Sequence, residues 1–205
     1  MRITTLLTLL WIVTFPIKAQ TVYDNTSFDA KVATVILQKD LAIYDPLPLL
    51  NLNGGDRLKL SFDILEPVNE FFNYSIIHCD RNWKPSDLQP MEYISGNTMG
   101  EITDFKFSTN TYQKYTHYNL KFPTSDMEIT KSGNYALLIY RNFDVTDLVL
   151  TRRFMVVDNQ TTIESDIKTA TLPEFRFSHQ EVDFMVNYEG FDIPNPFLDV
   201  NVTIL

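Results

Sequence analysis

The chain has 205 residues, a formal net charge of −9, and 44% hydrophobic and 13% aromatic residues. That apolar share is enough for a real core and excludes a disordered chain, and the acidic balance excludes nucleic acid and anionic lipid as partners, because both repel it. One cysteine, Cys79, excludes an internal disulfide.

The first element in chain order is a leader. Arg2 precedes an apolar run from Ile3 to Phe15, and Ala19 stands before Gln20 at a cleavage point. This is the layout of a secretory signal peptide over residues 1–19. The run is shorter than the ~20 apolar residues of a membrane span. No cysteine lies at the cut, so no lipid anchor is expected. The leader carries Arg2, Lys18 and no acid, so its removal takes the formal charge from −9 to −11. An exported chain without bridges suits a bacterial periplasm better than an animal secretory route.

Strand patterns follow. "KVATVILQ" is the first candidate, near the start of the exported chain. "RLKLSFDI" sets Leu58, Leu60, Phe62 and Ile64 on one face and Lys59, Ser61 and Asp63 on the other, the period of two of a half-buried strand. "NYSIIHC" continues as a strand from Asn73, and Pro85-Ser86-Asp87 opens a single helical turn with Ser86 as its cap. "THYNLKFP" alternates Tyr118, Leu120 and Phe122 against His117, Asn119 and Lys121. "SGNYALLIYR" runs from a turn at Ser132-Gly133-Asn134 into Tyr135, Leu137 and Ile139, and "TRRFMVVD" is a further short strand. Turn formers fill "LNGGDR", "LEPVNE", "KPSDLQP" and "PTSDMEITKSGN" between them. About seven short strands at this spacing predict an all-β fold, an antiparallel immunoglobulin-like β-sandwich, over residues 20–160.

Beyond Asp158 the pattern relaxes through "NQTTIESDIKTATLP", and new strands are expected at "EVDFMVNY" and "LDVNVTIL". So short a stretch buries too little surface to close a second sandwich. Residues 161–205 therefore read as a linker and the truncated start of a second β domain.

Cys79 between His78 and Asp80 raises the question of a catalytic thiol or a metal site. A nucleophilic cysteine needs a base in hydrogen-bond reach. Neighbours on a strand point to opposite faces, so His78 and Cys79 do not meet, and Cys79 shares its face with Ile77. It reads as a small buried apolar residue. His78, His117 and His179 have no zinc-motif spacing, and His117 approaches His78 only if their strands pair. Alternation sends Arg152 and Arg153 to opposite faces, which disfavours a joint anion clamp. There is no Gly-rich phosphate loop and no G-x-S-x-G elbow, and Gly96 is a lone turn glycine. Trp83, Tyr93, Tyr112 and Tyr115 fall in or beside loops. Such aromatics either bind a sugar or protein partner or fold back onto the sheet edge.

Several strings, in order and spacing, resemble one family. They are "LSFDIL", "YSIIHCDRNWKPSDLQPMEYISG", "ITDFKFSTNTYQKYTHYNLKFP", "SGNYALLIY" and "TRRFMVVD". Together they are similar to the N-terminal domain of the Bacteroidetes type IX secretion system plug protein. The resemblance is strong from Leu60 to Asp158 and weaker from Val32 and into the second domain. The specific part is H-C-D-x-x-W-x-P-S-D, which is His78, Cys79, Asp80, Trp83, Pro85, Ser86 and Asp87. With it go His117 and Tyr118, then Gly133, Asn134 and Tyr135, then Arg152 and Arg153.

The resemblance implies a periplasmic β-sandwich held against the periplasmic mouth of the outer-membrane translocon barrel. Such a plug closes the pore when no secretion substrate occupies it. It implies no catalytic residue, no cofactor and no metal, so the motif residues are expected to hold a conformation. The oligomeric state and the face that meets the barrel stay open. Two rivals also stay open: a carbohydrate-binding accessory sandwich, and the front domain of a secreted hydrolase.

Overall fold

The computed structural model describes residues 23–41, 47–188, 190 and 192–202. The signal peptide expected at 1–19 lies outside the described residues. The strands are β1 (Val32–Lys39), β2 (Leu49–Asn51), β3 (Leu58–Ile64), β4 (Phe72–Cys79), β5 (Ile94–Gly96), β6 (Met99–Ile102) and β7 (Asp104–Phe107). They continue with β8 (Thr116–Phe122), β9 (Met127–Ile129), β10 (Gly133–Arg141), β11 (Asp144–Val157), β12 (Thr162–Thr169) and β13 (Gln180–Asn187). Two one-turn helices, α1 (Pro90–Tyr93) and α2 (Pro196–Asp199), interrupt them. The chain is all-β, as its alternation predicts.

The alternation in β3 decides the packing. Leu58, Leu60, Phe62 and Ile64 are fully buried, while Lys59, Ser61 and Asp63 between them are not. β3 pairs with β1 and β8 in a four-stranded antiparallel sheet of order β1-β3-β8-β7. A five-stranded sheet has the order β2-β11-β10-β4-β6, antiparallel except where β2 meets β11. Inward side chains of both sheets form one apolar core. Phe62 stacks on Tyr118 at 5.2 Å within its own sheet and meets Phe72 of the other edge-on at 5.5 Å. Phe122 and Phe154 make a second edge-on contact between the sheets at 5.2 Å. Only Thr103 separates β6 from β7, so the chain changes sheets across a single residue.

β10 is buried on both faces. Tyr135, Leu137 and Ile139 enter the main core. Ala136, Leu138 and Tyr140 form a second cluster with Cys79 on the opposite face, against which Tyr23, Ile77, Trp83 and Leu148 pack. The segment before β1 helps close that side, because Thr151 N–H donates to Thr26 O and Phe28 N–H to Val149 O, each at 2.8 Å.

Several local expectations are corrected. The helical turn sits at Pro90–Tyr93 rather than at Pro85, because Pro90 fits a first helical position and Glu92 accepts the Gln89 N–H at 2.7 Å. β11 starts at Asp144, well before "TRRF", because a two-residue turn at Asn142-Phe143 joins it directly to β10. β12 lies where the pattern relaxes; it pairs only with β13 and is exposed along its whole length. The strand expected from Leu198 is instead α2 up to Asp199, residues 200–202 carry no strand, and 203–205 lie outside the described residues. Gly96, expected in a turn, is the last residue of β5 and pairs with Met127; its φ is +93°, and a Cβ there would stand 2.4 Å from Asp126 O.

Because Phe62 bridges the two sheets, Phe62→Ala should lower the unfolding free energy by about 3–5 kcal/mol in urea titrations. A loss under about 1 kcal/mol would contradict the shared core.

Candidate functional site

The string from His78 to Asp87 is built as a pinned loop at the end of β4. Alternation turns His78 toward the main core and Cys79 toward the second cluster. The His78 ring meets Tyr135 edge-on at 5.0 Å, lies 5.7 Å from Tyr93, and places Nδ1 2.8 Å from Ser86 Oγ. Gly133 passes directly beneath that ring. Its φ is +143°, and a Cβ would stand 2.5 Å from His78 Nε2, so only glycine fits. Ser86 N–H donates back to His78 O at 2.9 Å, and Pro85 bridges to Cys79. Asp87 is exposed.

Asp80 organises the turn between them. Its Oδ1 accepts from Asn82 N–H at 2.8 Å and Lys84 N–H at 2.9 Å. Its backbone N–H donates to Lys84 O at 2.7 Å, and its carbonyl accepts from Asn134 Nδ2 at 3.1 Å. The Lys84 N–H bond, aided by that from Asn82, holds the Asp80 carboxyl below the usual carboxylate range.

Trp83 then takes a left-handed φ of +62° and is half-buried. The Arg153 guanidinium lies over its ring, 4.6 Å from the centroid. Arg153 Nε donates to Tyr23 O at 2.8 Å, and Arg153 also pairs with Asp24 at 3.3 Å. Arg152 donates to Thr26 O at 3.1 Å and Thr151 O at 2.7 Å, and burial lowers its pKa. The two arginines therefore share no anion: each holds backbone carbonyls of the segment before β1.

The chemistry open to these groups is narrow. Cys79 is 2% exposed, and burial pushes its thiol pKa up to about 11. It stays protonated at neutral pH, with His78 on the far side of the strand. His117 and His78 are not brought together, because β8 pairs with β3 and β7 while β4 pairs with β10 and β6. His117 Nδ1 instead lies 2.7 Å from Asp63 Oδ1, across the β3–β8 ladder. Among the described residues no group of three or more His, Cys, Asp or Glu is arranged to hold a metal ion. No helix among them is long and apolar enough to cross a membrane.

The four loop aromatics separate. Tyr93 is buried and its hydroxyl donates to Ile76 O at 3.3 Å, so it is closed to a partner. Trp83 is half-buried beneath Arg153, while Tyr118, outside this set, is a core residue whose hydroxyl accepts from Glu70 N–H at 2.9 Å. Tyr115 is half-buried and Tyr112 fully exposed. Among the exposed aromatics that escape the sequence reading, Phe71 and Phe143 lie close together. The available signal is Asn142, a turn former at the end of the β10 run.

Residues 32–158 match the family model described as the type 9 secretion system plug protein 1st domain. The chain belongs to that family. The plug family is not an enzyme family, which accords with a motif built of loop hydrogen bonds. Among solved structures, a hypothetical protein from Parabacteroides merdae is similar to this plug domain with a TM-score of 0.81 and 28% identity, over 88% of this chain. The chain spans 45% of that protein's length. Two weaker likenesses carry no argument. One is the alkylpurine DNA glycosylase AlkC of Pseudomonas fluorescens, with TM-score 0.34 and 11% identity over 62% of this chain and 30% of that one. The other is a Listeria innocua β-glucosidase, with TM-score 0.30 and 8% identity over 60% and 16%. No curated protein matches.

Two outcomes follow for the plug domain. A double-mutant cycle on Trp83→Ala and Arg153→Ala should return a coupling of about 0.5–2 kcal/mol; additive losses would remove the stacking. Cys79 has a folded-state pKa above its unfolded value, so its contribution to stability is present below about pH 9 and is lost as pH rises toward about 11. The stability difference between the natural chain and Cys79→Ala should shrink over that window, and a difference that grows would contradict the burial.

Proposed function

We propose that this plug domain belongs to a periplasmic protein that closes the periplasmic mouth of the type IX outer-membrane translocon. The observation that carries this reading is the family match over residues 32–158. The physical build supports it. A body with a main core between its sheets, a second apolar cluster behind β10, a lone buried cysteine and a loop pinned by hydrogen bonds suffices to block an aqueous channel.

A plug must also leave when cargo arrives. That favours a polar contact of moderate size over a large apolar seal. The acidic excess, −9 for the chain and −11 without its leader, suits a basic rim on the barrel mouth. Exposed charge pairs are screened within ~8 Å at physiological ionic strength, so the contact should weaken with salt. The sugar-binding reading loses two of its four aromatics, since Tyr93 is buried and Trp83 lies under Arg153.

Removing the gene from a strain that keeps its translocon should open a leak. Vancomycin uptake across the outer membrane is the readout. Uptake should rise; unchanged uptake, with the empty translocon shown to be present, would overturn the plug reading.

A further inference from the structure

A groove of ≈ 480 Å³ opens where the chain crosses from β6 to β7. Phe71 and Phe143 stand at its rim, 72% and 60% exposed. Phe72 and Ile102, buried in the core, reach its floor. Two exposed phenylalanines beside one concave apolar surface form the kind of patch on which interaction sites are built.

Phe143 is also in the wrong conformation for its type. Asn142 and Phe143 form the two-residue turn between β10 and β11, with φ of +50° and +61°. That is the type I′ pattern, in which the second residue is ordinarily glycine. A phenylalanine there is strained, and its exposed ring gains little burial in return. The turn is held nonetheless. Phe143 N–H donates to Oδ1 of the buried Asn73 at 2.8 Å, and Asn142 N–H to Phe71 O at 3.2 Å. Both rings are therefore carried on fixed backbone.

The electrostatics select what fits between them. Among the described residues, the lining holds two carboxylates, Glu70 and Glu101, and no lysine or arginine. Glu70 is taken by Arg141, which also pairs with Asp29 and Asp147. Glu101 is exposed on β6. β6 and β7 are each the last strand of their sheet, so an extended chain can lie along the groove beside an open strand edge. We infer that this groove docks an extended segment of another protein, which sets an aliphatic or aromatic side chain between Phe71 and Phe143 and a lysine or arginine against Glu101. A second copy of the chain is disfavoured by its net negative charge, which repels a like-charged partner.

Panning the chain against a phage-displayed library of random peptides tests this. Recovered peptides should pair an apolar residue with a nearby lysine or arginine. Fluorescence anisotropy with a synthetic recovered peptide then reads the affinity. Phe143→Gly should weaken binding at least ~10-fold while the melting midpoint holds or rises, since Asn-Gly is the preferred type I′ turn. Glu101→Lys should weaken it similarly, and a peptide with its basic residue changed to glutamate should recover binding to that variant. The inference is overturned if panning yields no such peptides, if affinity is indifferent to Phe143→Gly, or if sedimentation shows a dimer that Phe143→Gly dissolves. None of these readouts involves the translocon, so the plug reading stands or falls separately.

Discussion

The absence of a polar face on β10 is the constraint from which the rest of the structure follows. Its inward residues Tyr135, Leu137 and Ile139 need the opposing sheet, and its outward residues Ala136, Leu138 and Tyr140 need a second cover. A sheet buried on both sides is stable only when something packs on each side. Here the cover on the outer side is made of Trp83, Tyr23 and the arginine-held segment before β1. The H-C-D-x-x-W string is placed to do this. His78 belongs to one face of the sheet, Cys79 to the other, and Asp80 turns the chain so that Trp83 folds back under Arg153.

The two ends of β10 are fixed by different physics. At its start, Gly133 admits the His78 ring that a Cβ would displace. At its end, Arg141 meets Asp29, Glu70 and Asp147. Burial works against the Arg141 charge, but hydrogen bonds to Glu70 and Asp29 outweigh it and leave its pKa raised. Breaking one partner of so enclosed a group leaves an uncompensated charge, which is why such networks rigidify the elements they join.

Much of this was legible in the sequence, for reasons that differ by element. β3 and β8 are buried on one face, so their period of two shows plainly. β10 hides half of its role: "YALLIY" alternates, but the residues between the alternating set are also apolar, and the second core follows from that continuity. β5, β6, β7 and β9 have three or four residues each, too few to display a period. β12 is exposed along its length and carries no core-facing bias strong enough to separate it from a loop. At the motif, alternation alone parts His78 from Cys79. The burial of Tyr93 depends on where α1 falls, which local propensity misplaces by a few residues. Phe143 is invisible to pattern reading because it breaks the rule for its turn.

The most direct measurement is the conductance of the purified, cargo-free translocon in a planar bilayer, with the plug protein from the same cells added to the periplasmic side. Plugging requires the open-pore current to fall on addition and to recover as salt is raised. An undiminished current, with the protein shown to be bound to the barrel, would contradict it.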